Sequence, residues 1–206
     1  YELSWVKNGN GNIYTLPCVP IGNTYDFLSG TKNCWGRRRH RVFLTIGKPF
    51  YYEPSADPGP GQKKEVLRFA NQVRKEFLRL NTITVSQVAG EYLLRRAAQE
   101  ISAPLSENVL QEVVTRRVAA LRDREFNLDP DLADHSKLAA RISIFYRVLI
   151  EEGYVQGGRI QTARALHLPA SLEKYKAENI IRYMVNRIRA VARDNYYLEG
   201  VLREIS

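Results

Sequence analysis

The stretch Glu53-Pro54-Ser55-Ala56-Asp57-Pro58-Gly59-Pro60-Gly61 divides the sequence into two different texts. Its three prolines lack a backbone N–H and fix φ, and its two glycines suit turns, so it reads as a loop at a boundary. Before it the sequence is rich in Gly, Asn, Pro and Tyr. Two short apolar runs there, Ile13 to Ile21 and Val42 to Phe50, have the length and the β-branched and aromatic content of strands. After it the pattern is almost continuously helical. The expected organisation is therefore a strand-bearing segment over residues 1–60 and a helical region over 61–206.

Within the helical text, Val66, Ala70, Val73, Phe77 and Leu80 recur three and four apart while Lys63, Lys64, Arg68, Arg74, Lys75 and Arg79 fill much of the rest. That pattern predicts a basic amphipathic helix from Gln62 to Leu80. Thr84 followed by Gln87 has the form of a capping box and opens a second helix, expected to reach Ile101. A third opens at Ser106 and carries Val109, Leu110, Val113, Val114, Val118 and Leu121. A fourth uses Leu138, Ile142, Phe145, Tyr146 and Leu149 and stops at Gly153, a residue free to turn left-handed. The last is expected from Ser171 to Tyr197.

The chain has 206 residues, with 44% hydrophobic and 26% charged, which excludes a wholly disordered or low-complexity chain. Lys and Arg number 31 against 22 Asp and Glu, a net charge of +9 that predicts an anionic partner. The charge divides as +3, +4 and +2 over residues 1–60, 61–126 and 127–206, a spread suited to a broad anionic surface. Cys18 and Cys34 are too few for a disulfide framework or a metal cluster, so a cytoplasmic setting is expected. No run approaches the roughly 20 apolar residues needed to cross a bilayer, so any membrane contact is expected to be peripheral. The first residue is Tyr1 and the lone Met is Met184, from which the sequence is expected to be a piece of a longer protein.

None of His40, His135 and His167 has partners at zinc-ligand spacing, and no Gly-x-Ser-x-Gly or phosphate-loop motif occurs. Each histidine reads as a helix-cap or surface residue. The run Arg37-Arg38-Arg39-His40-Arg41 places four guanidinium groups in five positions. Their planar donor forks suit a phosphorylated substrate or anionic headgroups, although a short run of charge is more often simply a solvated loop. A helix ending at Gly153, followed by Tyr154-Val155-Gln156-Gly157-Gly158-Arg159-Ile160, has the form of a helix running into a glycine-turned hairpin. It carries the alternative expectation of a basic winged-helix-like nucleic-acid-binding module over about 104–162.

The stretch Leu16-Pro17-Cys18-Val19-Pro20-Ile21-Gly22-Asn23-Thr24-Tyr25-Asp26, a basic connection, and Arg41-Val42-Phe43-Leu44-Thr45-Ile46-Gly47-Lys48-Pro49-Phe50 follow one another in a telling order. The pair resembles the last part of the acyltransferase domain of glycerol-3-phosphate and lysophosphatidate acyltransferases, where a Val-Pro strand precedes a strand ending in a Gly-x-Pro-apolar step. Leu172 to Met184, with Tyr175, Asn179 and Tyr183, is similar to the helix that follows the catalytic domain in the glycerol-3-phosphate branch. The strand motifs cover about residues 13–52, and the remainder matches in layout with little identity.

The resemblance implies an α/β fold: the final strands of a mixed sheet in an acyltransferase domain, followed by a mainly α-helical C-terminal region. It implies a transferase of phospholipid biosynthesis, peripheral to the membrane, moving an acyl group from acyl-CoA or acyl carrier protein to glycerol 3-phosphate or lysophosphatidate. No cofactor is implied beyond that thioester co-substrate, and the expected partner is an anionic membrane surface, not nucleic acid. Val19, Pro20 and Ile21 would line the acyl channel, and Arg37, Arg38, Arg39 and Arg41 would meet the anionic substrate or headgroups. Family chemistry rests on a His with an Asp five residues later, the His acting as base and the Asp orienting it. Five residues after His40, His135 and His167 stand Thr45, Ala140 and Leu172, so the catalytic pair is expected upstream of Tyr1 and this fragment alone is expected to be inactive. For Gln62 to Leu80 two roles stand: contact with an anionic membrane, or packing of its apolar face on the sheet, the second being preferred.

Overall fold

The computed structural model describes residues 6–7, 13–14, 18–26, 40–51, 62–99, 101, 105–122, 124, 126–161, 180–193 and 195–203. Within them the chain combines helices with short strands. Val6–Lys7 (β1) pairs antiparallel with Ile13–Tyr14 (β2), and Ile21–Asp26 (β3) pairs antiparallel with Arg41–Ile46 (β4). The helices follow: Gln62–Arg79 (α1), Val85–Ala98 (α2), Glu107–Arg122 (α3), a 3-10 turn at Pro130–Leu132, and His135–Glu151 (α4). A hairpin of Val155–Gln156 (β5) and Arg159–Ile160 (β6) comes next, then Ile180–Arg193 (α5) and Tyr196–Arg203 (α6).

The run expected as a strand from Ile13 to Ile21 carries a short strand at its start, Ile13–Tyr14, and the first residue of another at its end, Ile21, which follows Pro20, a residue with no N–H to give to a ladder; residues 15–17 lie outside the described residues. The described strands form three separate two-stranded antiparallel ribbons. The expected final helix is likewise divided. α5 ends at Arg193, and the Asn195 side-chain oxygen accepts from the Leu198 N–H at 3.1 Å, which starts α6 afresh. Its expected beginning, Ser171 to Asn179, lies outside the described residues.

Local signals account for the other boundaries. The expected capping box of Thr84 and Gln87 forms at the start of α2, the Thr84 N–H donating to the Gln87 side chain at 3.2 Å. Asp134 caps α4, accepting from the Ser136 hydroxyl at 2.7 Å and the Ser136 N–H at 2.9 Å, and these bonds hold its carboxyl below the usual value. Gly157 and Gly158 turn the β5–β6 hairpin with φ of 56° and 71°, a pair of left-handed residues that only a glycine pair takes freely.

The hydrophobic core lies among the helices. Val88, Ala89, Tyr92 and Leu93 of α2 are fully buried and meet Leu110, Val114, Val118 and Leu121 of α3, Ile142, Phe145 and Leu149 of α4, and Ile181, Met184, Val185 and Ile188 of α5. α2 serves as the central rod: it is buried on nearly every face, with Ser86, Gln87, Glu91 and Arg96 buried beside its apolar residues. Inside this core Glu91 and Arg117 form a buried ion pair at 3.3 Å. Arg117 also donates to the Leu202 carbonyl at 2.7 Å, which ties α2, α3 and α6 together. Burial pulls the Arg117 guanidinium below its ordinary value, and Glu91 pulls the other way.

Candidate functional site

The β3–β4 ribbon has two dissimilar faces. Its register pairs Ile21 with Ile46, Asn23 with Leu44, Tyr25 with Val42, and Asp26 with Arg41. Alternation along a strand then sets Gly22, Thr24 and Asp26 with Arg41, Phe43 and Thr45 on one side, and Ile21, Asn23 and Tyr25 with Val42, Leu44 and Ile46 on the other.

The first face meets the helical region through polar contacts. The Thr82 N–H donates to the Thr24 hydroxyl at 3.0 Å, and the Asn127 amide donates to the Thr45 hydroxyl at 2.9 Å, to the Leu80 carbonyl and to the Thr82 hydroxyl. Arg187 on α5 donates to the Asn23 carbonyl. Gly22 lies so close to the Leu80 backbone that any Cβ there would collide with it. The strongest contact is Arg41, whose guanidinium lies 2.5 and 3.0 Å from the two oxygens of Asp129 and 3.1 Å from Asp131. The same guanidinium stands over the Phe43 ring, 4.7 Å from its centroid.

Asp129 is buried and also caps the 3-10 turn by accepting the Asp131 N–H at 3.0 Å. Asp131 is shared between Arg41 and Arg141, the latter at 2.7 Å. Burial alone would raise the Asp131 carboxyl. The hydrogen bond and charge of Arg141, with the charge of Arg41 added, bring it below its ordinary value.

The second face is largely apolar and open. Val19, Ile21, Val42, Leu44 and Ile46 are 44%, 47%, 50%, 67% and 73% exposed; Asn23 and Tyr25 share the face, the Asn23 amide donating to the Tyr25 hydroxyl at 3.3 Å, and exposed Lys48 follows two residues after Ile46. The pairing extends beyond the ladder: the Gly47 N–H donates to the Pro20 carbonyl at 2.8 Å, and Cys18 and Phe50 exchange backbone hydrogen bonds of 2.8 and 3.0 Å. The residues singled out for the acyl channel thus divide, Val19 and Ile21 standing outward and Pro20 buried.

Of the four arginines read as anion contacts, Arg41 is engaged by two carboxylates of the chain itself, and Arg37, Arg38 and Arg39 lie outside the described residues. His40 and His135 are exposed, and His167 lies outside the described residues. Among the described residues, no three His, Cys, Asp or Glu side chains gather as a metal site, and no helix is long and apolar enough to cross a membrane. The sequence reading missed Asn127, Asp129 and Asp131 as the sockets of the ribbon. Their signal is the Asp129-Pro130-Asp131 step, a cap and proline at the start of a helical turn. Comparison of the chain with protein-family models, curated proteins and solved structures finds no match.

Proposed function

We propose that the chain is the C-terminal portion of a glycerolipid acyltransferase, peripheral to the membrane, that transfers an acyl group from acyl-CoA or acyl carrier protein to glycerol 3-phosphate or lysophosphatidate. The observation that carries the reading is the outward face of the β3–β4 ribbon. The two segments whose sequences resemble the closing strands of that catalytic domain are direct partners, and together they present Val19, Ile21, Val42, Leu44 and Ile46 on one side. An isolated two-stranded ribbon is marginal in water, and a largely apolar side suits a covering layer or an acyl chain. In this reading the ribbon is the closing edge of a larger mixed sheet, and the catalytic His and Asp come from upstream polypeptide.

The test is acyl transfer by the longer protein, with acyl-CoA and acyl carrier protein offered in turn as donors. Transfer that is lost when the His of the expected upstream His-x4-Asp pair becomes Ala supports the reading; an unrelated domain upstream sinks it. The chain by itself should transfer nothing.

A second reading draws on the arrangement from α2 to β6. Leu105 bridges antiparallel to Ile160, so a helix, a strand-like residue, two helices and a glycine-turned hairpin follow one another in winged-helix order. Nucleic-acid binding by this unit is opposed by its charge. Residues 104–162 hold eight Lys and Arg against nine Asp and Glu, whereas duplex binding draws on an excess of cations. The unit is better suited to packing than to reading a groove.

A further inference from the structure

Helix α1 is held to the rest of the chain along one side. Phe69 is buried there, set edge-on to Phe50 with ring centroids 5.5 Å apart, and Val73, Glu76 and Phe77 are half-buried. At 3.6 residues per turn, the opposite side carries Lys64, Arg68, Asn71 and Lys75, whose spacings of four, three and four put them in one row down the helix. Lys63 and Leu67 flank that row, with Leu67 55% exposed. The two acids of the helix, Glu65 and Glu76, are half-buried; Glu76 borders the hollow that the row lines, and it is already held by Arg79 at 2.9 Å. Among the described residues Lys63, Lys64, Arg68 and Lys75 make no ion pair.

We infer that this outward side of α1 is the docking face for an anionic bilayer surface. The inference rests on the proposed lipid-handling role and gives it an address on the molecule. From Lys64 to Lys75 the row runs about 16 Å. Each Lys or Arg brought to an anionic leaflet adds about fivefold in affinity, and long flexible stems let the ammonium groups follow headgroups that move sideways. Leu67 offers an apolar side chain at the level of the same headgroups. A protein partner is less well served, because the row carries no aromatic anchor, and the hollow between Leu67, Arg68, Asn71 and Lys75 is wide open and rimmed by cations.

The full chain is to be floated with vesicles of phosphatidylcholine alone and of phosphatidylcholine mixed with phosphatidylglycerol, at rising salt. It is compared with a triple variant carrying Lys64→Gln, Arg68→Gln and Lys75→Gln. A control triple, Lys137→Gln, Arg147→Gln and Arg159→Gln, removes the same charge from exposed positions on α4 and the β5–β6 hairpin. Binding is expected for the phosphatidylglycerol vesicles alone, falling with salt, with a loss of about a hundredfold in the α1 triple and within about threefold in the control. Equal losses in the two triples would overturn the inference, since binding would then follow net charge. So would an unaltered chain that ignores phosphatidylglycerol, or one that binds duplex DNA through α1 and leaves vesicles behind. Acyl transfer by the longer protein toward detergent-dispersed lysophosphatidate reads the proposed function separately. Transfer without vesicle binding removes the docking face alone, and vesicle binding without transfer removes the acyltransferase reading alone.

Discussion

Arg41 on β4 and Asp129 before the 3-10 turn are joined by two hydrogen bonds across 88 residues of chain, and Asp129 is 1% exposed at that contact. A carboxylate so placed depends on its partner, because a buried charge left alone costs more than the pair contributes. Arg41→Ala should therefore destabilise the chain by about 3 kcal/mol, read by urea unfolding. Arg41→Ala combined with Asp129→Asn should recover part of that loss. Additive losses in the double variant would show that the two side chains are not coupled.

Asp131 gives the contact a pH dependence with a definite sign. Its folded carboxyl titrates below the ordinary value of 3.8, so the unfolded chain takes up the proton first as pH falls. The stabilisation from its pairing with Arg141 and Arg41 is complete above that ordinary value and is lost as pH drops through the lower folded one. Asp134, also depressed, acts in the same direction. Unfolding measured from neutral to strongly acidic pH should show a shallower acid loss for Asp131→Asn than for the unaltered chain, and an unchanged slope would remove Asp131 from the account.

The outward face of the ribbon separates stability from function. Leu44 is 67% exposed, so Leu44→Asp should shift the stability of the chain by no more than about 0.5 kcal/mol. In the longer protein the same substitution puts a carboxylate on the side proposed for the acyl chain or its covering layer. Transfer there should fall at least about tenfold, since an unpaired charge is poorly tolerated on a desolvated surface. Unimpaired transfer would show that this side of β4 plays no part in the reaction.

Glu91 holds the interior of the helical region together. It accepts from Arg95 at 2.8 Å as well as from Arg117, and both Glu91 and Arg117 are buried. Glu91→Gln leaves the Arg117 guanidinium without its counter-charge and should cost about 3–5 kcal/mol in denaturant unfolding. Adding Arg117→Met should restore a large part, and failure of that rescue would locate the loss elsewhere.

The parts of this fold legible in the sequence are those written in short-range pattern. The three-and-four spacing of Val66, Val73 and Phe77 marks α1, Gln87 marks the start of α2, and the Gly157-Gly158 pair marks a hairpin turn, all within one or two turns of chain. The start of β3 at Ile21 has a local cause as well, in the missing N–H of Pro20. The divided last helix follows from the Asn195 cap, a signal easily passed over inside an apolar period. What the sequence does not display is partnership at a distance. Arg41 belongs to a run of arginines that reads as a contact for anions, yet its guanidinium is taken by Asp129 and Asp131, far along the chain. The sidedness of the ribbon is hidden for the same reason: Thr24 and Thr45 face Thr82 and Asn127, and alternation alone does not reveal which face meets the helices.

The attachments of the ribbon also carry a message about the order of events during synthesis. Thr24 waits for Thr82, Thr45 for Asn127, and Asn23 for Arg187, separations of 58, 82 and 164 residues. Contacts closed over such distances form late, after the local helices, because the loop-closure entropy comes due before the contact is made. On the ribosome, β3 and β4 emerge before the helices that secure them, so the ribbon waits without its sockets while more than a hundred further residues are added. That interval is when a chaperone would have its longest access to this protein.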